Sequence, residues 1–508
     1  MNFRHWTTSC PAPDSAILIA LTALTRIAFR SRFLYDIDSI NFALALQRFD
    51  PSVHQPHPPG YFLYVCLGVL SHSIFRDANT ALVAVSILAS CGTVAVIHLL
   101  ASVWFGRMAA ACAGLIFVTS PIAWFHGTVA LTYIVEAFFS IALGYLCWRV
   151  YDGAHHFVIP AAVVLGLAAG FRQSSLVILL PLLLLAFHRV PRRLVFQGIG
   201  ALGLVLMAWL MPMLYTVGGV HAYTSVLWAL WRLVPARQTI FTASIFTTLA
   251  RGGLIAAIYA LCFGVAALLP LRASTPVSKS IRTFTWMWLA PGLLLFTFVY
   301  LKFVNSGYLM VLLPPVCIWL GFWAADWYRH ARLPVAARIA VLAGAAAVNV
   351  AVFLRVPLYF SYQEVRSSQR QLTAALDAVR QVSGHTGGPQ ETVIVGFDSH
   401  FLGYRHAGYY LPEFLTIQFP EVPLASTTGV FVMQHQDTRL VSRLRMRPFR
   451  TFILFPLPSS DREYRDYMQR IRARFPPGVL QTNTENGLEI LTGPVSALSV
   501  LFPHAVLE

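Results

Sequence analysis

The chain has 508 residues, of which 57% are hydrophobic and only 11% charged, against roughly 25% charged in a soluble domain. With a mean hydropathy of +0.64, this excludes a soluble enzyme, a disordered chain and a fibrous repeat, because a protein of this size cannot hide so much apolar surface from water. Lys plus Arg number 37 and Asp plus Glu 21, a net charge of +16. That surplus raises nucleic-acid binding, but the placement of the charges argues against it.

The first 355 residues hold 23 Lys/Arg and 8 Asp/Glu, whereas the last 153 hold 14 and 13. The excess therefore belongs to the apolar part, where cytoplasmic loops favour Lys and Arg and anionic headgroups lie nearby. No dense basic run interleaved with aromatics occurs, so nucleic acid is not an expected partner and the lipid bilayer is. Before Arg355 the acids are Asp14, Asp36, Asp38, Asp50, Asp77, Glu136, Asp152 and Asp326. Carboxylates in or beside a bilayer are costly and default to a functional hypothesis. The seven cysteines include no CxxC pair, so neither a disulfide framework nor a thiolate metal site is suggested.

In chain order, the first apolar run is about 14–31, without a small-x-small cleavage site before Arg30 and Arg32. It reads as an uncleaved span with the N-terminus inside. A polar segment rich in Asp, His and Pro follows at 32–60. Apolar runs then recur at about 61–75, 80–103, 108–126, 128–150, 157–171, 174–188, 194–217, 252–271, 283–301, 307–325 and 335–354. A crossing needs about 20 residues, so 61–75 reads as an interfacial helix and the others as about eleven crossings. This register places Arg107, Arg149, Arg192 and Arg193 in short inside loops and puts the C-terminus outside. The runs 157–171 and 174–188 read as two short helices separated by Arg172-Gln173-Ser174-Ser175, although one broken helix fits as well. The stretch 218–251, with Trp228, Trp231, Arg232 and Arg237, reads as a long loop whose tryptophans anchor at the interface or shape a lipid cavity.

From about 356 the composition changes. Charge and helical period mark 363–382. Thr392–Phe397, Thr451–Phe455 and Leu488–Leu491 are strand candidates, and Asp461–Phe475, between Pro458 and Pro476, is a helix candidate. The expectation is a polytopic α-helical membrane domain, 1–355 with a first outer loop at 32–79, followed by a small soluble α/β domain, 356–508. No internal repeat is visible, which weakens a transporter reading.

Chemistry-bearing residues concentrate in 35–61: Tyr35-Asp36-Ile37-Asp38-Ser39, Asp50, and His54-Gln55-Pro56-His57-Pro58-Pro59-Gly60-Tyr61. Ile40, Ala43 and Leu44 suit an amphipathic helix lying on the membrane, with Asp38 as its N-cap. Capping alone would explain Asp38. The scarcity of acids, and the presence of Ser39 as an equally good cap, point instead to Asp38 as the reacting carboxylate, with Asp36 second. His57-Pro58-Pro59-Gly60 forms a rigid turn, with Gly60 free to take a positive φ, that either merely starts the next helix or holds His57 toward Asp38. His54, His57, Asp36 and Asp38 together are a weak divalent-metal signal, and no metal ligand is assigned. Glu136, inside a span, requires a partner or a task; Arg172 and Lys302, near span ends, suit a phosphate, or in the case of Arg172 an internal ion pair with Glu136.

This arrangement resembles the GT-C superfamily of integral-membrane glycosyltransferases, which includes the protein O-mannosyltransferases and the lipid A aminoarabinose transferase. The resemblance rests on Asp38, on His57-Pro58-Pro59-Gly60-Tyr61, on Thr119-Ser120-Pro121, on Gly170-Phe171-Arg172-Gln173 and on Gly307-Tyr308 with Pro314. The tail segment Tyr404-Arg405-His406-Ala407-Gly408-Tyr409-Tyr410 resembles bacterial relatives. The family's commoner Asp-Glu pair is here Asp36-Ile37-Asp38. The resemblance implies a GT-C-like fold in a bacterial inner membrane, with the C-terminal domain extracytoplasmic. It also implies a polyprenyl-phosphate-sugar donor, an acceptor the sequence does not name, and inversion in one displacement. Asp38 would be the base, with Asp36 second; Arg172 and Lys302 would bind phosphate; His57, Glu136 and Tyr308 would lie at the substrate. The competing readings are a lipid-sugar flippase or other transporter, and an assembly protein working through its tail.

Overall fold

A computed structural model describes residues 13–233, 274–296, 306–358, 360–397, 399, 401–419, 430–434, 437–441, 449–456, 468–469, 471–485 and 488–500, with isolated positions at 244, 246, 249–250 and 253. The chain divides into two compact units, Met1–Ser31 with Tyr61–Glu364, and Arg32–Gly60 with Val365–Glu508. This differs from the contiguous division expected at residue 355, because the polar segment 32–60 groups with the C-terminal residues. The physical reason lies in its apolar side chains. Phe33 packs edge-on to Tyr410 at 5.4 Å between ring centroids, and Tyr35 lies 4.7 Å from Phe401.

The helical unit contains α1 (Pro13–Ala28), α3 (Phe62–Phe75), α4 (Ala78–Phe105), α5 (Arg107–Thr119), α6 (Pro121–His126), α7 (Tyr133–Tyr151), α8 (Val158–Phe171), α9 (Ser174–Phe187), α10 (Arg192–Val217), α11 (Val220–Leu233), α12 (Lys279–Leu294), α13 (Leu313–His330) and α14 (Val335–Arg355); α2 (Ile37–Ala45) belongs to the other unit. Small residues line the buried face of α5, where Ala109, Ala110 and Ala113 are fully buried, as close helix approach in a membrane requires. Ser86, Ser90 and Thr93 on α4 return their hydroxyls to carbonyls one turn back at 2.7–3.3 Å, so their burial leaves no polar group unmet.

Among the described residues four helices, α4, α7, α10 and α14, are long and apolar enough to cross a membrane. The eleven crossings expected from the sequence are therefore not established, since α5, α8 and α9 are shorter and most of the run 252–271 lies outside the described residues. α10 and α14 turn large apolar side chains outward, among them Phe196, Leu204 and Ile339, a surface suited to hydrocarbon rather than water. One local expectation changes and another, left open between two helices and one broken helix, is resolved. Residues 220–233 form α11 rather than loop, since no Gly or Pro interrupts that stretch. The apolar pair 157–171 and 174–188 is two helices, α8 and α9, parted at Arg172 and Gln173.

The second unit carries a seven-stranded mixed sheet in the order β4-β3-β2-β1-β5-β7-β6. Its strands are β1 (Thr392–Gly396), β2 (Leu415–Gln418), β3 (Val430–Gln434), β4 (Asp437–Val441), β5 (Thr451–Leu454), β6 (Gln481–Glu485) and β7 (Leu488–Pro494). β1 is parallel to β2 and β5, and the remaining pairs are antiparallel. Strand alternation sorts the core onto two faces. Val393, Val395, Phe452 and Leu454 face Met468, Ile471 and Phe475. Ile394 and Ile453 face Leu372, Leu376 and Val379 of α15 (Tyr362–His385). Most of the predicted helix 461–475 lies outside the described residues. A last short helix, α16 (Tyr404–Tyr410), follows β1. Gly396 ends β1 where a Cβ would meet the Tyr404 backbone at 2.5 Å, so glycine there lets α16 seat directly on the sheet.

Candidate active site

The segment 32–60 presents its carboxylates in two different states. α2 starts at Ile37, two residues earlier than expected, and its N-cap is Asp36, with an extended backbone (φ −112°, ψ 157°). The Asp38 N–H donates to Asp36 Oδ1 at 2.9 Å. The expected cap, Asp38, is thus corrected to Asp36. A helix beginning at 37 orients the amide of its second residue at the carboxylate preceding the helix. Asp36 is 3% exposed. Asp38, relieved of capping, keeps a side chain 26% exposed, and its Oδ1 lies 3.2 Å from His57 Nδ1.

His57 is delivered by a short, heavily constrained loop. Asp50 caps a single 3-10 turn, Pro51–Val53, through the Ser52 N–H at 3.2 Å. The Gln55 N–H returns to the Asp50 carbonyl at 2.9 Å. The Gln55–Pro56 and Pro58–Pro59 peptides are cis, the Gly60 N–H donates to the His57 carbonyl at 3.2 Å, and Gly60 takes the expected positive φ, +113°. The His57 ring sits 5.5 Å from that of Phe42 on α2. His57 is therefore held toward Asp38, the second of the two roles open to it from sequence. His54 lies close by at an exposed position, and desolvation of its ring, helped by the positive charge of Arg405, pushes its pKa down to about 4.

The second predicted group lies in the helical unit. Glu136, one turn into α7, and Arg172, in the break between α8 and α9, form a buried ion pair: Arg172 Nε to Glu136 Oε2 is 3.2 Å, with side chains 7% and 1% exposed. Ser175 donates to Glu136 Oε1 at 3.0 Å. Arg172 donates to Thr132 at 3.2 Å and to Ser174 at 3.3 Å. Three tyrosine rings surround the guanidinium, Tyr133 at 4.5 Å, Tyr308 at 5.0 Å and Tyr61 at 5.8 Å from its central carbon, a cation–π cage. Breaking such a pair from one side leaves a buried charge and costs about 3–5 kcal/mol.

Of the sequence-predicted residues, Asp38 and His57 meet, and so do Glu136, Arg172 and Tyr308. Asp36 serves as a cap. Lys302 lies outside the described residues. Among the described residues no group of three or more His, Cys, Asp and Glu is arranged to hold a metal ion, so the weak signal from His54, His57, Asp36 and Asp38 is not gathered into one ligand set. Sequence reasoning missed Tyr61, Thr132 and Tyr133 as partners of Arg172. Spacing offered a clue, because Thr132 and Tyr133 precede Glu136 by four and three residues and share its helix face.

No protein-family model matches this chain, and no curated protein matches it by sequence. Solved structures do. ArnT from Cupriavidus metallidurans in the apo state aligns with a TM-score of 0.56 at 12% identity, over 97% of this chain and 99% of that one. The same protein bound to undecaprenyl phosphate gives a TM-score of 0.55 at 11% identity, over 95% and 98%. An Archaeoglobus fulgidus oligosaccharyltransferase complexed with Zn and sulfate gives 0.47 at 12% identity, over 78% of this chain and 61% of its own. This chain therefore shares its fold with ArnT across nearly the full length of both proteins.

Proposed function

We propose that the protein is a membrane glycosyltransferase that takes a sugar from a polyprenyl-phosphate-linked donor and passes it to an acceptor hydroxyl on the outer face of a bacterial inner membrane. The observation that carries this reading is the full-length match to a fold solved with undecaprenyl phosphate bound. In this reading the N-terminus is cytoplasmic and the C-terminal sheet extracytoplasmic. The acceptor is a glycan, a lipid or a protein.

Asp38 acts as the general base. It takes the acceptor proton as the acceptor oxygen attacks the anomeric carbon, and the bond from that carbon to the phosphate oxygen breaks, its electron pair leaving with the polyprenyl phosphate. A single displacement inverts the anomeric configuration. Two observations support Asp38 over Asp36: it is the more exposed carboxylate, and it is not occupied in capping. His57, 3.2 Å away, orients it. Arg172 and Lys302 are assigned to the lipid phosphate, where cationic donors stabilise the leaving charge. Glu136 and Tyr308 fix the Arg172 guanidinium.

The test is product formation by purified full-length protein from an undecaprenyl-phosphate-linked sugar, with the anomeric configuration read by NMR. Transfer with inversion by the wild type and none by Asp38→Asn is the expected result. Full activity of Asp38→Asn, or retention of configuration, removes the base assignment. Lipid movement across the membrane without bond formation replaces the enzyme by a flippase.

A further inference from the structure

The Asp38–His57 contact joins two segments, α2 and the 50–60 loop, whose Phe42 and His57 rings also meet. α2 fixes Asp38 and the 50–60 loop fixes His57. Both are gripped from the same place, α16. Arg405, 1% exposed, donates from two nitrogens to consecutive carbonyls, Val53 at 2.9 Å and His54 at 3.4 Å. Its Nε donates to Tyr404 Oη at 3.0 Å, so the guanidinium plane is fixed from its own helix. At the other end of α16 the Tyr410 hydroxyl accepts the Leu34 N–H at 2.8 Å, two residues before the cap of α2. The buried His406 ring accepts the Gly403 N–H at 3.4 Å, and the Leu34 and Tyr35 backbone lies against it.

We propose that α16, through Arg405 and Tyr410, is a clamp that sets the position of His57 relative to Asp38, with Arg405 and Tyr410 as positioning residues for the proposed transfer; this rests on Asp38 being the base. Three features support a clamp rather than simple docking of the loop. The contacts go to main-chain atoms, so they set position whatever the loop side chains are. Arg405 offers a rigid planar fork, which matches two adjacent carbonyls as a flexible ammonium cannot. And α16 is itself immobilised, because Gly396 seats it on the central strand β1. A reacting group displaced by about 1 Å loses on the order of 100-fold in rate, so a clamp of this kind is worth more to turnover than to folding.

The experiment compares wild type, Arg405→Ala, Arg405→Lys, Tyr410→Phe and Asp38→Asn as full-length proteins in lipid nanodiscs. It reads amide hydrogen exchange, His57 modification by diethyl pyrocarbonate, and transfer from an undecaprenyl-phosphate-linked sugar. In Arg405→Ala the amides of 53–55 exchange at least about tenfold faster while β1, β5 and β7 stay protected. His57 modification rises, and kcat falls about 100-fold with KM unchanged. Arg405→Lys recovers part of the loss. Tyr410→Phe accelerates exchange at Leu34 and lowers kcat less. Asp38→Asn leaves exchange at 53–55 as in the wild type while abolishing transfer. Unchanged exchange at 53–55 and unchanged kcat in Arg405→Ala overturn the clamp while leaving the function standing. If Arg405→Ala instead loses protection across the sheet, Tyr410→Phe decides, and wild-type exchange at Leu34 with wild-type kcat sinks the proposal. Full transfer by Asp38→Asn removes the base assignment alone, since the exchange results do not depend on it.

Discussion

The Asp38–His57 loop and the Glu136–Arg172 cluster treat charge in opposite ways. Asp38 and His57 are partly exposed and meet each other on segments whose main chain is bonded by Tyr410 and Arg405. Glu136 and Arg172 are almost wholly buried, satisfy each other, and are enclosed by hydroxyls and tyrosine rings. Under the proposed function, the difference separates a group that exchanges a proton with a substrate from a group that must keep its charge out of water. The first needs access and an external scaffold. The second must be self-contained, since an unpaired ion at that depth would destabilise the fold.

Substitutions can break this contrast. The largest effect is expected for Asp38→Asn, which removes the proposed base and should lower kcat by about 100- to 10,000-fold with the melting temperature preserved. Product formation and a thermal melt on the same sample measure both. Loss of stability without loss of rate would place Asp38 with the structural groups. Next comes Glu136→Ala, which strands the Arg172 charge and should destabilise the helical unit by about 3–5 kcal/mol. The double variant Glu136→Leu/Arg172→Met should recover most of that stability, and a cycle in denaturant shows whether it does; equal destabilisation by the single and double changes would mean that the pair is not the source.

Acid provides a third probe, in the sheet unit. Burial lowers the His406 pKa to about 4, and the Leu34 and Tyr35 backbone opposes this only in part; His54 is lowered to about 4 as well. Both folded values lie below the ordinary 6.5. The unfolded chain therefore binds protons first as pH falls. Stability is complete above about 6.5, declines between about 6.5 and 4, and levels off below that. For the buried His406 the loss is on the order of 3 kcal/mol, and the exposed His54 contributes less because solvent screens it. Melting curves of the full chain from pH 7 to pH 4 should show it, and His406→Phe should flatten the curve; an unchanged slope would contradict burial of the neutral ring. The smallest effect is expected for Asp36→Ala, about 1 kcal/mol from the lost cap, seen as a lower melting temperature with kcat within a few-fold of wild type. A collapse of turnover there would return the base to Asp36.

The strands show how much was legible. Thr392–Gly396, Thr451–Leu454 and Leu488–Pro494 fall where β-branched runs bounded by turn residues predicted them. β2, β3, β4 and β6 went unseen. β6 carries a mostly polar sequence at the sheet edge, and β2 is only four residues long; neither gives a strong alternation to read. At the site, the His57-Pro-Pro-Gly turn and the separation of α8 from α9 at Arg172 were readable because Pro, Gly and a polar interruption act locally. The exchange of roles between Asp36 and Asp38 was not, since a two-residue shift of a helix start reverses them and composition does not fix that start.

Composition and charge placement alone determined a membrane-borne helical part, a polar sheet-forming tail, and one acid-rich segment holding the candidate site residues. These depend on bulk hydrophobicity, local backbone restriction and the high cost of acids near a bilayer, all of which act within short windows of sequence. Tertiary structure decided which residues meet. It paired Glu136 with Arg172, ringed the guanidinium with tyrosines far apart in the chain, and brought residues 404–410 against 34 and 53–54. Contacts between positions more than three hundred residues apart arise from how apolar faces bury one another, and no local pattern encodes them.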